Sequence, residues 1–250
     1  MCGRFALYEP SERVARAFGV DEVAPGGPDA RYNVAPSQQV LSVVSSRDGE
    51  RRKLGTLRWG LVPSWATNPS TGHRLINARA ETVASAPSFR AAFQRRRCLV
   101  PANGFFEWRR DPTATGRRGR PFFVRPVDGS LMALAGIWEI WHGPDGQVLR
   151  TVAIVTTMAN PDLSAVHDRM PVVVRPEDWA GWLAPQALEP EVAGRLLRPP
   201  PPGQLALVEV SDLVNNPRHD TPDTLAPRSG AGADPPAPAV RPPARRPAGR

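Results

Sequence analysis

The chain has 250 residues, 41% of them hydrophobic, and 32 Lys and Arg against 24 Asp and Glu give it a net charge of +8. That length suits a sizeable core. There is no apolar run of about 18 residues to cross a membrane and no basic-then-apolar leader to direct secretion. Two cysteines, Cys2 and Cys98, are too few for a disulfide scaffold and fit a reducing cytoplasm. The positive charge points to polyanionic partners, nucleic acid first.

The chain opens Met1-Cys2-Gly3-Arg4-Phe5. A small residue at position 2 favours removal of Met1, which would leave an N-terminal cysteine with an amine and a thiol on adjacent carbons. Both groups are partly nucleophilic at neutral pH. Together they can capture an aldehyde, the amine as a Schiff base and the thiolate by closing a thiazolidine ring. Alternatively, the thiol can attack an amide or ester with its own amine as base. Cys2 could equally be an ordinary terminal residue, so the rest of the chain decides.

Ser11 reads as the N-cap of a short helix ending at Gly19, with Val14, Ala15, Ala17 and Phe18 as its apolar face. Residues 21–30 read as loop, followed by a short extended piece, Arg31–Pro36. Asp48-Gly49, Asp128-Gly129 and Asp145-Gly146 then punctuate alternating apolar runs in the manner of hairpins: Val40–Ser45, Leu54–Val62, Pro121–Val127, Leu131–Ile140 and Val148–Thr157. Further strands are expected at Arg97–Pro101, Gly104–Trp108, Val172–Arg175 and Leu205–Val210. Helices are expected at Ser88–Gln94, Glu177–Leu183 and Glu191–Leu197. The pattern predicts an α+β fold, a mostly antiparallel, barrel-like sheet with peripheral helices, in a single domain over residues 2–225. Residues 111–120 read as an exposed basic loop. The Pro-, Ala- and Arg-rich stretch 226–250 cannot bury enough apolar area to order itself and reads as a disordered basic tail.

Four segments place polar residues where such a core prefers apolar ones. In Arg58-Trp59-Gly60-Leu61-Val62-Pro63-Ser64-Trp65, the tryptophans are either stacking surfaces for bases or large core residues. In Ile76–Thr82, alternation puts Asn77, Arg79 and Glu81 on one face. An amide there can hold a terminal amine or sugar oxygen, and an arginine a phosphate. Glu107 lies among Phe105, Phe106 and Trp108, where partial burial would raise its pKa and suit it to acid–base work. His167 stands beside Asp168 and Arg169 and can donate a proton to a leaving oxygen. Each segment is also compatible with a purely structural role.

Taken together, the chain resembles the SRAP family, the SOS response-associated peptidases of abasic-site processing. The matching pieces are Met1–Phe5, Tyr32-Asn33-Val34-Ala35-Pro36, Arg58–Pro63, Ile76–Thr82, Pro101-Ala102-Asn103-Gly104-Phe105-Phe106-Glu107-Trp108, Val166-His167-Asp168-Arg169-Met170-Pro171 and Val214-Asn215-Asn216-Pro217. They occur in family order, and the tail lies outside the match. The resemblance implies that Cys2 crosslinks to the ring-opened aldehyde of an abasic site in single-stranded DNA. Asn77 would position the amine or sugar, Glu107 would be the acid–base, and His167 would assist ring opening and lyase-like Schiff-base chemistry. Arg4, Arg79 and Arg169 would hold phosphates, and Trp59 and Trp65 would shape the DNA groove. The chemistry requires neither metal nor organic cofactor. The expected protein is a cytoplasmic monomer, nucleoid-associated when on DNA.

Self-removal of Met1 is a secondary activity that the family name suggests. Two other classes stay open: a non-catalytic binder of single-stranded nucleic acid, and an N-terminal-cysteine amidotransferase, a class that also begins Met-Cys-Gly. The binder leaves Cys2 and Glu107 unexplained, and the amidotransferase leaves the later segments unexplained.

Overall fold

The computed structural model describes residues 2–109 and 119–228. Removal of Met1, most of the basic loop expected at 111–120, and the tail beyond Arg228 lie outside the described residues. Ala226–Arg228, expected in the tail, still bond to the domain: Arg228 N–H donates to Glu209 O at 3.0 Å, and Pro227 bridges Val210.

The strongest sequence signals build a closed barrel. β10 (Met132–His142) and β11 (Val148–Met158) form a hairpin around Asp145-Gly146, where Gly146 takes φ +74°. β10 pairs on its other side with β7 (Arg97–Ala102), and β7 with β4 (Gln39–Ser45). β4 turns through Asp48-Gly49 into β5 (Arg52–Trp59), with Gly49 at φ +83°. β5 then meets β11 in parallel, Thr151 opposite Arg58 and Val152 opposite Trp59, which closes a ring of five strands. At the closure Gly60 holds φ +123° and its N–H donates to Val152 O at 2.8 Å. A Cβ there would stand 2.6 Å from Gly72 O, so no other residue fits without moving backbone. Val43, Leu54, Leu99, Leu134, Ile137 and Val152 are among the residues of the buried core.

A second sheet takes the order β13-β9-β8-β1-β3, from β1 (Phe5–Leu7), β3 (Arg31–Val34), β8 (Gly104–Arg109), β9 (Arg120–Pro126) and β13 (Leu205–Glu209). Only Asn103 separates β7 from β8, so one extended run passes from barrel to second sheet. Asp128-Gly129 is not a hairpin, contrary to the sequence reading. It carries the chain from β9 in the second sheet to β10 in the barrel. Three short strands complete the barrel edges: β2 (Glu22–Val23) beside β5, β6 (Asn77–Arg79) parallel to β11, and β12 (Arg169–Pro171) antiparallel to β11.

The strand expected at Val172–Arg175 starts earlier and ends sooner. Val172 bonds to both Val155 of β11 and Ala135 of β10, and Val174 to Ala133. The chain there passes its bonds from one strand to the other and makes no continuous ladder. The helices are peripheral: α1 (Ser11–Ala17), α2 (Arg90–Arg95), α3 (Trp179–Leu183) and α4 (Pro190–Leu196). Pro10, not Ser11, occupies the N-cap of α1, and Ser11 is its first helical residue. The fold is therefore the mixed, mostly antiparallel barrel with peripheral helices that the sequence predicts. No helix among the described residues is long and apolar enough to cross a membrane.

Candidate active site at the seam of the two sheets

The four residues expected to do chemistry come together where the second sheet meets the β6–β11–β12 edge. Cys2 precedes β1 and is fully buried within the core cluster. β6 is short but locked to β11, Asn77 opposite Ile154, which aims the Asn77 side chain at the chain's start. Its Nδ2 donates to Cys2 O at 2.8 Å. Its buried Oδ1 has no hydrogen-bond partner among the described residues and stays available as an acceptor.

Glu107 lies on β8 and is 2% exposed. Burial pushes its carboxyl up to about 7, and the Asp168 charge adds to the rise against a backbone hydrogen bond at Trp108. Its Oε2 stands 3.9 Å from His167 Nε2. On the other side of the imidazole, Nδ1 accepts from Arg169 N–H at 2.9 Å and lies 3.0 Å from Asp168 Oδ1. Nδ1 also lies 3.2 Å from Arg169 O, so its neighbours include both a donor and acceptors, and Nε2 is the nitrogen that faces Glu107. Burial also pushes the Cys2 thiol above its ordinary range, and the Glu107 charge adds to the rise. The site thus holds a neutral thiol and a carboxyl that both gains and loses its proton near neutrality.

The expected phosphate-binding groups divide. Arg79 is exposed at the end of β6. Arg169 is held inward: its Nη1 and Nη2 reach Glu81 Oε1 and Oε2 at 2.5 and 3.0 Å, and Nη2 also donates to Thr156 O at 2.7 Å. This two-pronged pair fixes β12 against β6. Arg4 donates through Nη1 to Asn33 Oδ1 at 2.7 Å and to Val214 O at 2.6 Å, and lies over the Trp108 ring.

The tryptophans divide too. Trp59 is 1% exposed, packs on Phe5 and donates to Ile76 O at 2.9 Å, so it is a core residue and faces no groove. Trp65 is 64% exposed. Trp141 donates to Ala66 O at 2.6 Å and so anchors the loop that presents Trp65.

The sequence reading assigned no role to Asn33, Asn215 or Asp220. Asn33 is fully buried and its Nδ2 donates to the carbonyls of Val214, Asn216 and His219. Asp220 Oδ1 accepts from the N–H groups of Tyr32 and Asn33, while Oδ2 pairs with Arg31. Trp108 donates to Asn215 Oδ1 at 2.8 Å. Residues 214–220 therefore clamp the strand beside β1 and set where Cys2 sits. The available signal was the Asn-rich Val214–Pro217, polar residues in a run otherwise fit for burial. Among the described residues no three His, Cys, Asp or Glu side chains converge as a metal site requires.

The comparisons agree with this architecture. The family model described as SOS response associated peptidase (SRAP) matches residues 1–217. The chain is 39% identical to "Abasic site processing protein YoqW" of Bacillus subtilis (strain 168), over 90% of this chain and 99% of the relative. It is 35% identical to "Abasic site processing protein YedK" of Escherichia coli (strain K12), over 73% and 79%. It is 30% identical to "Abasic site processing protein HMCES" of Mus musculus, over 91% and 76%. Among solved structures, a Bacteroides thetaiotaomicron protein shares the fold with a TM-score of 0.79 at 23% identity, covering 91% of this chain and all of that one.

Proposed function

The chain belongs to the SRAP family, and from that premise we propose that it processes abasic sites by covalent capture of single-stranded DNA on Cys2. The observation that carries this reading is buried Glu107, with half-buried His167 beside it, set against a cysteine whose carbonyl Asn77 holds. An abasic sugar is mostly a closed hemiacetal and cannot react until its ring opens. Protonated Glu107 donates to the ring oxygen while His167, whose Nε2 faces the carboxyl, stands beside the charge that develops. The ring C–O bond breaks, the anomeric hydroxyl gives up its proton to water, and the aldehyde appears with Glu107 left as the carboxylate.

Loss of Met1 frees the Cys2 amine. That amine adds to the aldehyde carbon and expels water, giving the Schiff base. The thiol then adds across the C=N bond: a C–S bond forms, the thiol proton passes to nitrogen and the thiazolidine closes. A high thiol pKa suits this order, because the sulfur stays protonated until the imine is ready to receive it. Asn77 Oδ1 is placed to accept from the amine or from a sugar hydroxyl. Exposed Arg79 and Trp65 give the strand a phosphate contact and a stacking surface. Arg4 and Arg169 act chiefly by holding the site's shape.

The test is a denaturing gel of full-length protein mixed with single-stranded DNA carrying one abasic site. A shifted band that survives heat and detergent is expected, absent with intact DNA and with Cys2→Ala. A Cys2→Ala protein that forms as much stable adduct would overturn the reading. So would the absence of adduct from protein whose terminus is verified as free Cys2 by mass spectrometry.

A further inference from the structure

The far end of the barrel carries a second basic surface that the chemistry at Cys2 does not use. Where β4 turns into β5, Arg47, Arg51 and Lys53 face Arg95 and Arg96 of the α2 region across a groove of about 810 Å³, with Trp138 of β10 in its wall. Arg47, Arg51 and Arg95 are exposed, and none of their guanidinium groups has a hydrogen-bond or ion-pair partner among the described residues.

The nearby carboxylates do not neutralise the groove. Asp48 is engaged by Ser46 and the Glu50 N–H, Glu22 pairs with Lys53 at 2.7 Å, and Glu139 pairs with Arg96 at 2.5 Å. Behind them Arg97 is 3% exposed. Its guanidinium is satisfied by the carbonyls of Phe93, Gln94, Trp182, Ala184 and Gln186, a buried positive charge without a carboxylate on it. Six cations thus line the groove, with Asp48 as the one acidic residue in its lining.

We propose that this groove is a second binding site for single-stranded DNA, holding phosphates through Arg47, Arg51 and Arg95 and stacking a base on half-buried Trp138. The aromatic wall decides the class of polyanion. Cations alone would suit any acidic partner, whereas cations beside a flat indole suit an unpaired nucleotide. Lys53 and Trp59 lie six residues apart on β5, about 20 Å of extended strand. The groove is therefore separated from the Cys2 end by about six stacked nucleotides at 3.4 Å per step. Only the choice of DNA rests on the function proposed above.

Charge reversal on the exposed hairpin, Arg47→Glu with Arg51→Glu, tests the proposal in the full chain, with Arg95→Glu as an independent second variant. Affinity for an unmodified strand of about 30 nucleotides should fall about tenfold in the double variant. The slope of log affinity against log salt should shrink by about 1.4, for two lost phosphate contacts. Crosslinking to an abasic strand with about four nucleotides on each side should keep its wild-type rate, because that strand cannot span both sites. Unchanged affinity and salt slope in both variants would overturn the proposal and leave the face to an acidic protein partner. So would an equal loss of crosslinking on the short strand, because the effect would then arise at the Cys2 end. Affinity for an unmodified strand needs no abasic chemistry, so this proposal can survive a failure of capture at Cys2, and capture can survive the loss of the groove.

Discussion

Cys2 and Cys98 are both fully buried, and burial pushes both thiols above their ordinary range. Their surroundings differ in kind. Cys98 lies in the barrel, paired on β7 opposite Gly136 of β10, and burial is the whole cause of its shift. Cys2 lies at the seam, where Glu107 adds a charge and Asn77 takes its carbonyl. The barrel buries a thiol among groups that neither give nor take a proton. The seam buries one beside a carboxyl that does both near pH 7. Burial alone makes a cysteine inert, and the company at the seam is what supports the chemistry proposed for Cys2.

Removing the acid at the seam should break that contrast most. Glu107→Gln is expected to slow adduct formation about a hundredfold, the usual reach of one general acid. It should also abolish the fall in wild-type rate expected as pH rises through about 7. The same carboxyl costs stability. Its folded pKa lies above the ordinary carboxyl value of 4.5, so folding holds the proton, and stability is greatest below that range and is lost as pH climbs to about 7. Above pH 7 the cost is about 3 kcal/mol, so Glu107→Gln should resist urea better than wild type at pH 8 and equally at pH 4.

A smaller effect should come from loosening the support of the seam without touching its reactive groups. Asn33→Ala leaves three carbonyls and an Arg4 contact to find new partners. It should cost about 2 kcal/mol in urea unfolding and lower adduct yield. Smallest is the change in the barrel. Cys98→Ala should cost about 1 kcal/mol and leave crosslinking within about twofold of wild type. Because a Cβ on Gly136 would stand 2.6 Å from Cys98 Sγ, Gly136→Ala should be strongly destabilising alone and partly rescued by Cys98→Ala, as double-mutant unfolding would show.

What the sequence made legible follows from range. Asp48-Gly49 and Asp145-Gly146 act over a few residues, and both hairpins stand where their turn chemistry puts them. Asp128-Gly129 carries the same local signal, yet its flanking strands part into different sheets, a choice made by distant partners. The parallel closure of β5 on β11 has no turn to announce it. At the site, Asn77, Glu107 and His167 stood out as polar residues out of place in their own segments, and Cys2 by the amine and thiol that loss of Met1 would set side by side. Trp59 was not, because an indole reads alike in a groove and in a core. Nor was the inward use of Arg169, which depends on Glu81, 88 positions away. The clamp through Asn33 and Asp220 lies at the extreme of this range.

That clamp also sets a timetable. Arg4 bonds to Val214, 210 positions along the chain, and Asn33 to Val214, 181 positions away. A ribosome delivers Arg4 210 residues before the carbonyl that anchors it. The barrel's hairpins can form from neighbours as they emerge, whereas the seam has to wait for residues 214–220. The proposed nucleophile, Cys2, is therefore synthesised well before the residues that fix its surroundings.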